Sequence, residues 1–192
     1  MTLDRKKFFD VVRKELFKGT LAQSQVEGIS FILDVWEQKY TDKVTLPYLA
    51  YALGTTHHET DKTMLPINEY GKGRGRSYGK PHPKTKQTYF GRGYVQLTWY
   101  DNYLKAENKL GQPFTTKPEL ALDPKLAAEI MFTGMLEGWF TGKKFSSYIS
   151  TGNYTQFREA RRIINGMDKA SLISEYAADY LSALNAGMIK ED

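Results

Sequence analysis

The chain has 192 residues, no cysteine and a formal net charge of +5. These facts exclude disulfide scaffolds and thiolate metal sites, and the length suits a single domain of residues 1–192 that builds its core without covalent staples. The modest basic excess is compatible with an anionic polymer partner but selects none by itself. No apolar run of signal-peptide or membrane-spanning length appears, so the expectation is synthesis in the cytoplasm without a signal peptide and no stable membrane insertion.

The apolar period predicts a mainly helical fold. Residues 4–17 place Phe9, Val12 and Leu16 on one face, and the pattern stops near Gly19. Ser24 with Glu27 reads as a capping box for a second helix to about residue 39, with Val26, Ile29, Leu33 and Trp36 inward. Thr45 and Pro47 open a third helix, which ends at or near Glu59. From about 60 to 98 the helical period vanishes into a stretch rich in Gly, Pro and basic residues, a length of irregular chain that is usually functional when ordered. A short strand or hairpin is expected around Tyr89–Thr98 from its Tyr, Phe and Val content. Helices then resume over about 99–110, from Asp123-Pro124 onward, over about 153–164 and over 169–185.

Two carboxylates, Glu59 and Glu69, lie ten residues apart, flanked by aromatics and by the Gln96-x-Thr98 turn. That set suits acid–base cleavage of a sugar polymer. Such a cleavage needs one carboxylic acid kept neutral, and burial and a helix C-terminus both favour the neutral form, which points to Glu59 as the acid. Glu69, on the loop beyond it, is the candidate base that activates water, with Lys72, Arg74 and Arg76 close behind it as cationic partners. Asp61 is the competitor, but it stands too near Glu59 to leave room for substrate and water. His57 and His58 invite a metal, yet position 62 is Lys where a zinc protease helix needs His, so no metal and no cofactor is expected. The glycines of 71–75 and 91–93 lack the surroundings of a nucleotide loop. Arg92 reads as structural, pairing a buried acid, with contact to substrate as the alternative. Arg158, Arg161 and Arg162 share one face of a helix at i, i+3 and i+4 and suit an anionic surface; alternatively, one of them pairs with a catalytic-site acid.

His58-Glu59-Thr60, Tyr89-Phe90-Gly91-Arg92-Gly93-Tyr94-Val95-Gln96-Leu97-Thr98, Asn102-Tyr103 and Ile163-Ile164-Asn165-Gly166 together resemble the family 19 glycoside hydrolases, the plant-type chitinases and related bacteriophage endolysins. The resemblance covers roughly residues 45 to 185. It implies a lysozyme-like, two-lobed helical domain with a central cleft, and hydrolysis with inversion: Glu59 as acid, Glu69 as base, Thr98 positioning the water. His58, Tyr89, Gln96, Asn102 and Asn165 are the corresponding substrate-binding candidates. The expected partner is peptidoglycan, with chitin as the alternative and a non-catalytic amino-sugar-binding protein as the reading from another class. Nucleic acid is not an expected partner, and the protein is expected to be monomeric. An endolysin of this kind would reach the cell wall through a holin-type lesion.

Overall fold

A computed structural model describes residues 2–189. Among the described residues, seven α-helices carry the fold: α1 (Arg5–Glu15), α2 (Gln23–Lys39), α3 (Leu46–Glu59), α4 (Tyr100–Leu110), α5 (Pro124–Glu137), α6 (Tyr154–Ala160) and α7 (Ala170–Gly187). The strands are two residues long each. β1 (Thr2–Leu3) pairs antiparallel with β4 (Met188–Ile189), and β2 (Ile67–Asn68) with β3 (Arg92–Gly93). The helical expectation holds element by element, with ends shifted by a few residues.

α3 is the central rod. Every residue from Leu49 to His57 is buried, so the helix has no solvent face through its middle. It packs along α7, and the two backbones meet where a Cβ on Gly54 would stand 2.8 Å from the Ala177 nitrogen. Only glycine permits that approach. Around this pair lies the larger core, with Phe8, Trp36, Tyr51, Phe132, Phe157 and Tyr180 fully buried. Each such side chain contributes on the order of 1.5–3 kcal/mol. A smaller core of Tyr89, Leu97, Tyr103, Phe114 and Ile130 forms under α4 and the start of α5. The two cores are the two lobes, and the irregular 60–98 segment runs between them.

Local signals were used selectively. Asp123 caps α5, accepting from the Lys125 and Leu126 amides at 3.0 Å each, and Asn153 caps α6. Gly111 ends α4 in the left-handed conformation. Ser24 and Glu27 do not form the expected capping box: the N-cap is Ala22, two residues earlier, and the Gln25 side chain accepts from the Ala22 amide at 2.9 Å. Thr45 precedes α3 without a side-chain cap, because Pro47 already removes one of the amides a cap would serve.

Candidate active site

Glu59 is the last residue of α3, so the buried rod delivers its carboxylate to the cleft. The chain then turns sharply through Asp61, Lys62 and Met64, all at positive φ. Thr60 holds this turn, donating to the Thr56 carbonyl at 2.7 Å while its oxygen accepts from the Met64 amide at 3.1 Å. Burial and a helix terminus, which favour a neutral Glu59, are here opposed by a cation. Arg161 Nη1 donates to its Oε1 at 2.6 Å, and the Arg161 Nε donates to the Asp168 carbonyl at 3.0 Å. Both partners are shielded, the Arg161 side chain at 3% exposure and Glu59 at 17%.

That contact corrects one sequence expectation and selects the other. α6 stops at Ala160, and Arg161–Ile163 tighten into a 3₁₀ turn. The tightening rotates Arg161 inward while Arg158 and Arg162 stay exposed on Glu159, at 3.0 and 3.1 Å. The three arginines therefore do not form one anionic-binding face. The alternative, that one pairs with the acid, is what the structure shows.

The opposite wall comes from the loop and the start of α4. A cleft of about 410 Å³ is bounded by Glu59, Tyr78, Gln96, Thr98, Trp99 and Asn165, with Val95 and Ile164. A recess of about 170 Å³ continues it past Gln96, Thr98 and Trp99 to Asn102. Thr98 Oγ1 donates to the Gln96 carbonyl at 2.7 Å, which leaves its oxygen as an acceptor toward the cleft. The amides of Gln96 and Asn102 are partly committed to the backbone: Gln96 Nε2 reaches the Ile67 and Gly93 carbonyls at 3.3 Å, and Asn102 Nδ2 the Thr98 carbonyl at 2.9 Å. Asn165 is exposed, its Oδ1 accepting from the Gly166 amide at 2.8 Å.

Glu69 stands behind this wall rather than on it. Its Oε1 accepts from the Tyr78 hydroxyl at 3.1 Å and its Oε2 from the Gly91 amide at 3.1 Å. Its own amide donates to the Gly91 carbonyl at 2.7 Å, which splices the loop to β3. The expected cationic partners are absent: among the described residues, no Lys or Arg nitrogen lies within 4.0 Å of its carboxylate. Lys72, Arg74 and Arg76 point to solvent, where ammonium and guanidinium groups are best hydrated. Burial, its bond to Glu69 and the Glu69 charge all push the Tyr78 phenol up, so it remains a donor.

Two predicted substrate contacts lie elsewhere. Tyr89 is buried, its hydroxyl spent on the Thr115 carbonyl and Thr85 Oγ1 at 2.6 Å each; it is a pillar of the smaller core rather than part of the wall facing Glu59. His58 is half-buried beside Glu59 and forms no side-chain hydrogen bond among the described residues. Burial is the main cause of its lowered pKa, with the Glu59 charge opposing and Arg161 adding to it. Arg92 is structural as expected, but it pairs no acid. Its Nη1 donates to the Thr88 and Phe90 carbonyls and to Tyr103, and its guanidinium lies 3.7 Å over the Phe90 ring. Among the described residues, no group of His, Asp and Glu is arranged to hold a metal ion.

Sequence reasoning missed Tyr78 and Trp99. Trp99 is 51% exposed, sits at φ 75° and ψ 138°, and meets Tyr78 edge-on at 5.0 Å between centroids. The only signal was a concentration of aromatic residues in an irregular segment.

Among solved structures, the chain is similar to chitinase C from Streptomyces griseus HUT6037, with a TM-score of 0.56 and 21% identity over 97% of this chain and 95% of that one. A bacterial family 19 chitinase gives a TM-score of 0.59 and 20% identity over 95% and 94%. The fold is that of the family 19 chitinases. An endochitinase of Arabidopsis thaliana is 27% identical over 162 residues, 83% of this chain and 53% of its own length. One from Populus trichocarpa is 35% identical over 80 residues, 38% of this chain and 25% of its own. The chain thus spans about half the length of the Arabidopsis relatives it matches. No protein-family model matches it. Within this family 19 fold, Glu59, Gln96, Thr98 and Asn165 share one cleft, while Glu69 lies outside its lining, hydrogen-bonded to the Tyr78 that lines it.

Proposed function

We propose that the protein is a glycoside hydrolase that cuts β-1,4 bonds of an N-acetylated amino-sugar polymer with inversion. The observation that carries this reading is the meeting of Glu59 and Thr98 across the 410 Å³ cleft. Glu59 protonates the leaving oxygen, and Arg161 fixes the direction of its carboxyl. Thr98 accepts a hydrogen of the attacking water on the far face of the sugar, and Glu69, set back behind that wall, is the carboxylate that takes the water's proton once it turns from Tyr78 into the cleft. Tyr78 and the Gly91 amide hold the base from behind. Asn165 meets the substrate from the opposite wall.

Peptidoglycan is the preferred substrate, with the protein acting on the cell wall as an endolysin does. The basic surface suits an anionic wall, since Lys72, Arg74, Arg76, Lys80, Lys84 and Lys86 are all exposed on one loop. Chitin is the second reading, supported by relatives whose names call them endochitinases and chitinases. Digesting purified peptidoglycan and chitin oligomers and identifying the products by mass spectrometry decides between them. Reducing-end muramic acid or glucosamine from peptidoglycan supports the first reading and names the bond. Cleavage of chitin alone supports the second. Saturable binding of either polymer with no cleavage would leave only a sugar-binding protein.

A further inference from the structure

A second cavity, of about 320 Å³, lies directly behind the cleft wall. It is bounded by Tyr78, Lys80, Pro81, His82, Trp99 and Tyr100, with Ser77, Pro83 and Tyr89 completing it. Tyr78 and Trp99 line this cavity and the cleft alike, so their edge-to-face pair is the partition between the two. The far wall is rigid: the His82 and Tyr100 rings stack at 4.1 Å with 10° between planes, and Tyr89 braces Tyr100 at 5.3 Å. The walls are mostly aromatic and proline carbon, and Lys80 is the one permanently charged side chain among the residues lining them. The size reaches the lower range of small-ligand pockets.

The partition carries a backbone cost. Trp99 sits at positive φ outside the left-handed helical region, a conformation that disfavours any residue with a Cβ and costs on the order of 1–3 kcal/mol. It holds a half-exposed indole on the rim of both cavities instead of in a core. Such outliers persist where the surroundings over-determine them, and they cluster at ligand clamps.

Resting on the glycan-hydrolase reading, we propose that this second cavity is a subsite for the peptide that branches from the glycan strand of peptidoglycan. A strand lying in the cleft presents its substituents to the Tyr78–Trp99 partition. In chitin the largest is an acetyl group, too small to fill the space behind. In peptidoglycan alternate sugars carry a lactyl-linked peptide whose first residue is alanine and whose second is acidic. The methyl-bearing lactyl and alanyl groups match the aromatic walls, and the acidic residue matches Lys80. Tyr78 also holds Glu69, so an occupied cavity presses on the side chain that positions the base.

The test is an NMR titration of the isotopically labelled protein with two ligands. One is N-acetylmuramyl-L-alanyl-D-isoglutamine and its isoglutamate analogue, which contain no glycosidic bond to cut. The other is the N-acetylglucosamine dimer. The muramyl peptides should shift the Trp99 indole and the His82 and Tyr100 ring signals saturably, with the isoglutamate form binding more tightly. Lys80→Glu should weaken the isoglutamate form by about 3- to 10-fold and the amide form less. The dimer should shift Gln96 and Asn165 and leave His82 and Tyr100 in place. Identical shifts from both ligand types would overturn the subsite, because the cavity would then take any sugar. Dimer binding in the cleft with no muramyl-peptide response at His82 or Tyr100 would overturn the subsite and spare the glycan reading. Absence of binding by either ligand at any site would overturn both.

Discussion

The wall that carries Glu59 and the wall that carries Glu69 hold their carboxylates by opposite means. Glu59 rides on a helix buried on all sides and is gripped by a buried guanidinium from a distant segment. Glu69 rides on irregular chain and is held by neutral donors, a phenol and an amide, both tied to the same loop system. The first wall is rigid because moving it would disturb the α3–α7 core. The second is set by local hydrogen bonds over a small core and can be altered with little effect on the rest. Damage to the helical wall should therefore cost both stability and activity, whereas damage to the loop wall should cost activity alone.

The largest expected effect is on Glu59 itself. Glu59→Gln keeps the shape but cannot protonate a leaving oxygen, and turnover of a cleavable glycan should fall about 10²- to 10⁴-fold. Activity within a few-fold of the parent would remove this residue from the acid's role. Next is Arg161→Ala, which strands a shielded carboxylate. Denaturant unfolding should show a loss of about 3–5 kcal/mol, the range for breaking a buried pair by removing one partner. An unchanged unfolding midpoint would mean that the helical wall does not depend on this pair.

Acid should also act on the helical wall first. His57 is buried in α3 against Phe17 and Tyr176, its Nδ1 is 3.1 Å from the Tyr180 hydroxyl, and its Nε2 has no partner. Burial, with Lys62 and His58 adding to it, lowers its pKa to about 4. Above pH 6.5 the ring is neutral in both folded and unfolded chains and adds no pH dependence. As pH falls from 6.5 toward 4, the unfolded chain takes up the proton first. Stability should drop through that window by up to about 3 kcal/mol and level off below it. His57→Gln should flatten this part of the pH–stability curve; an equally steep curve would assign the effect to other groups.

Tyr78→Phe sharpens the contrast from the loop side. It removes one of the two donors on Glu69, so turnover should fall by about tenfold, with a stability change below about 1 kcal/mol. A stability loss as large as that of Arg161→Ala would erase the distinction between the walls. The smallest effect is expected from neutralising Arg158 and Arg162, both exposed and already facing Glu159. Hydrolysis of short soluble oligomers should be unchanged, and only the salt dependence of association with wall fragments should flatten.

What was legible in the sequence was what local chemistry decides. The 3.6-residue period placed the helices, Asp123-Pro124 and Gly111 marked ends, and α3 was expected to stop near Glu59, where it does. The motifs also brought Glu59, Gln96, Thr98 and Asn165 onto one list, and they line one cleft. Tyr89 lies in the smaller core and not in the cleft that Glu59 lines, a difference the sequence hides because an aromatic in a strand-like run looks the same on either side. Arg161 could be narrowed only to two roles, since helical spacing treats it like Arg158 and Arg162.

The sequence by itself therefore determined the helical class and the end of the central rod, and it named four of the residues that line the cleft. Tertiary structure alone decided which arginine turns inward and that Glu69 is held by Tyr78 and Gly91 instead of Lys72, Arg74 and Arg76. It also decided that Trp99 divides two cavities. The reason is physical: periodicity and capping act within a few residues of chain. The Glu59–Arg161 contact joins residues 102 positions apart, and it depends on the buried α3 and on the 3₁₀ turn after α6 to set its two ends in place.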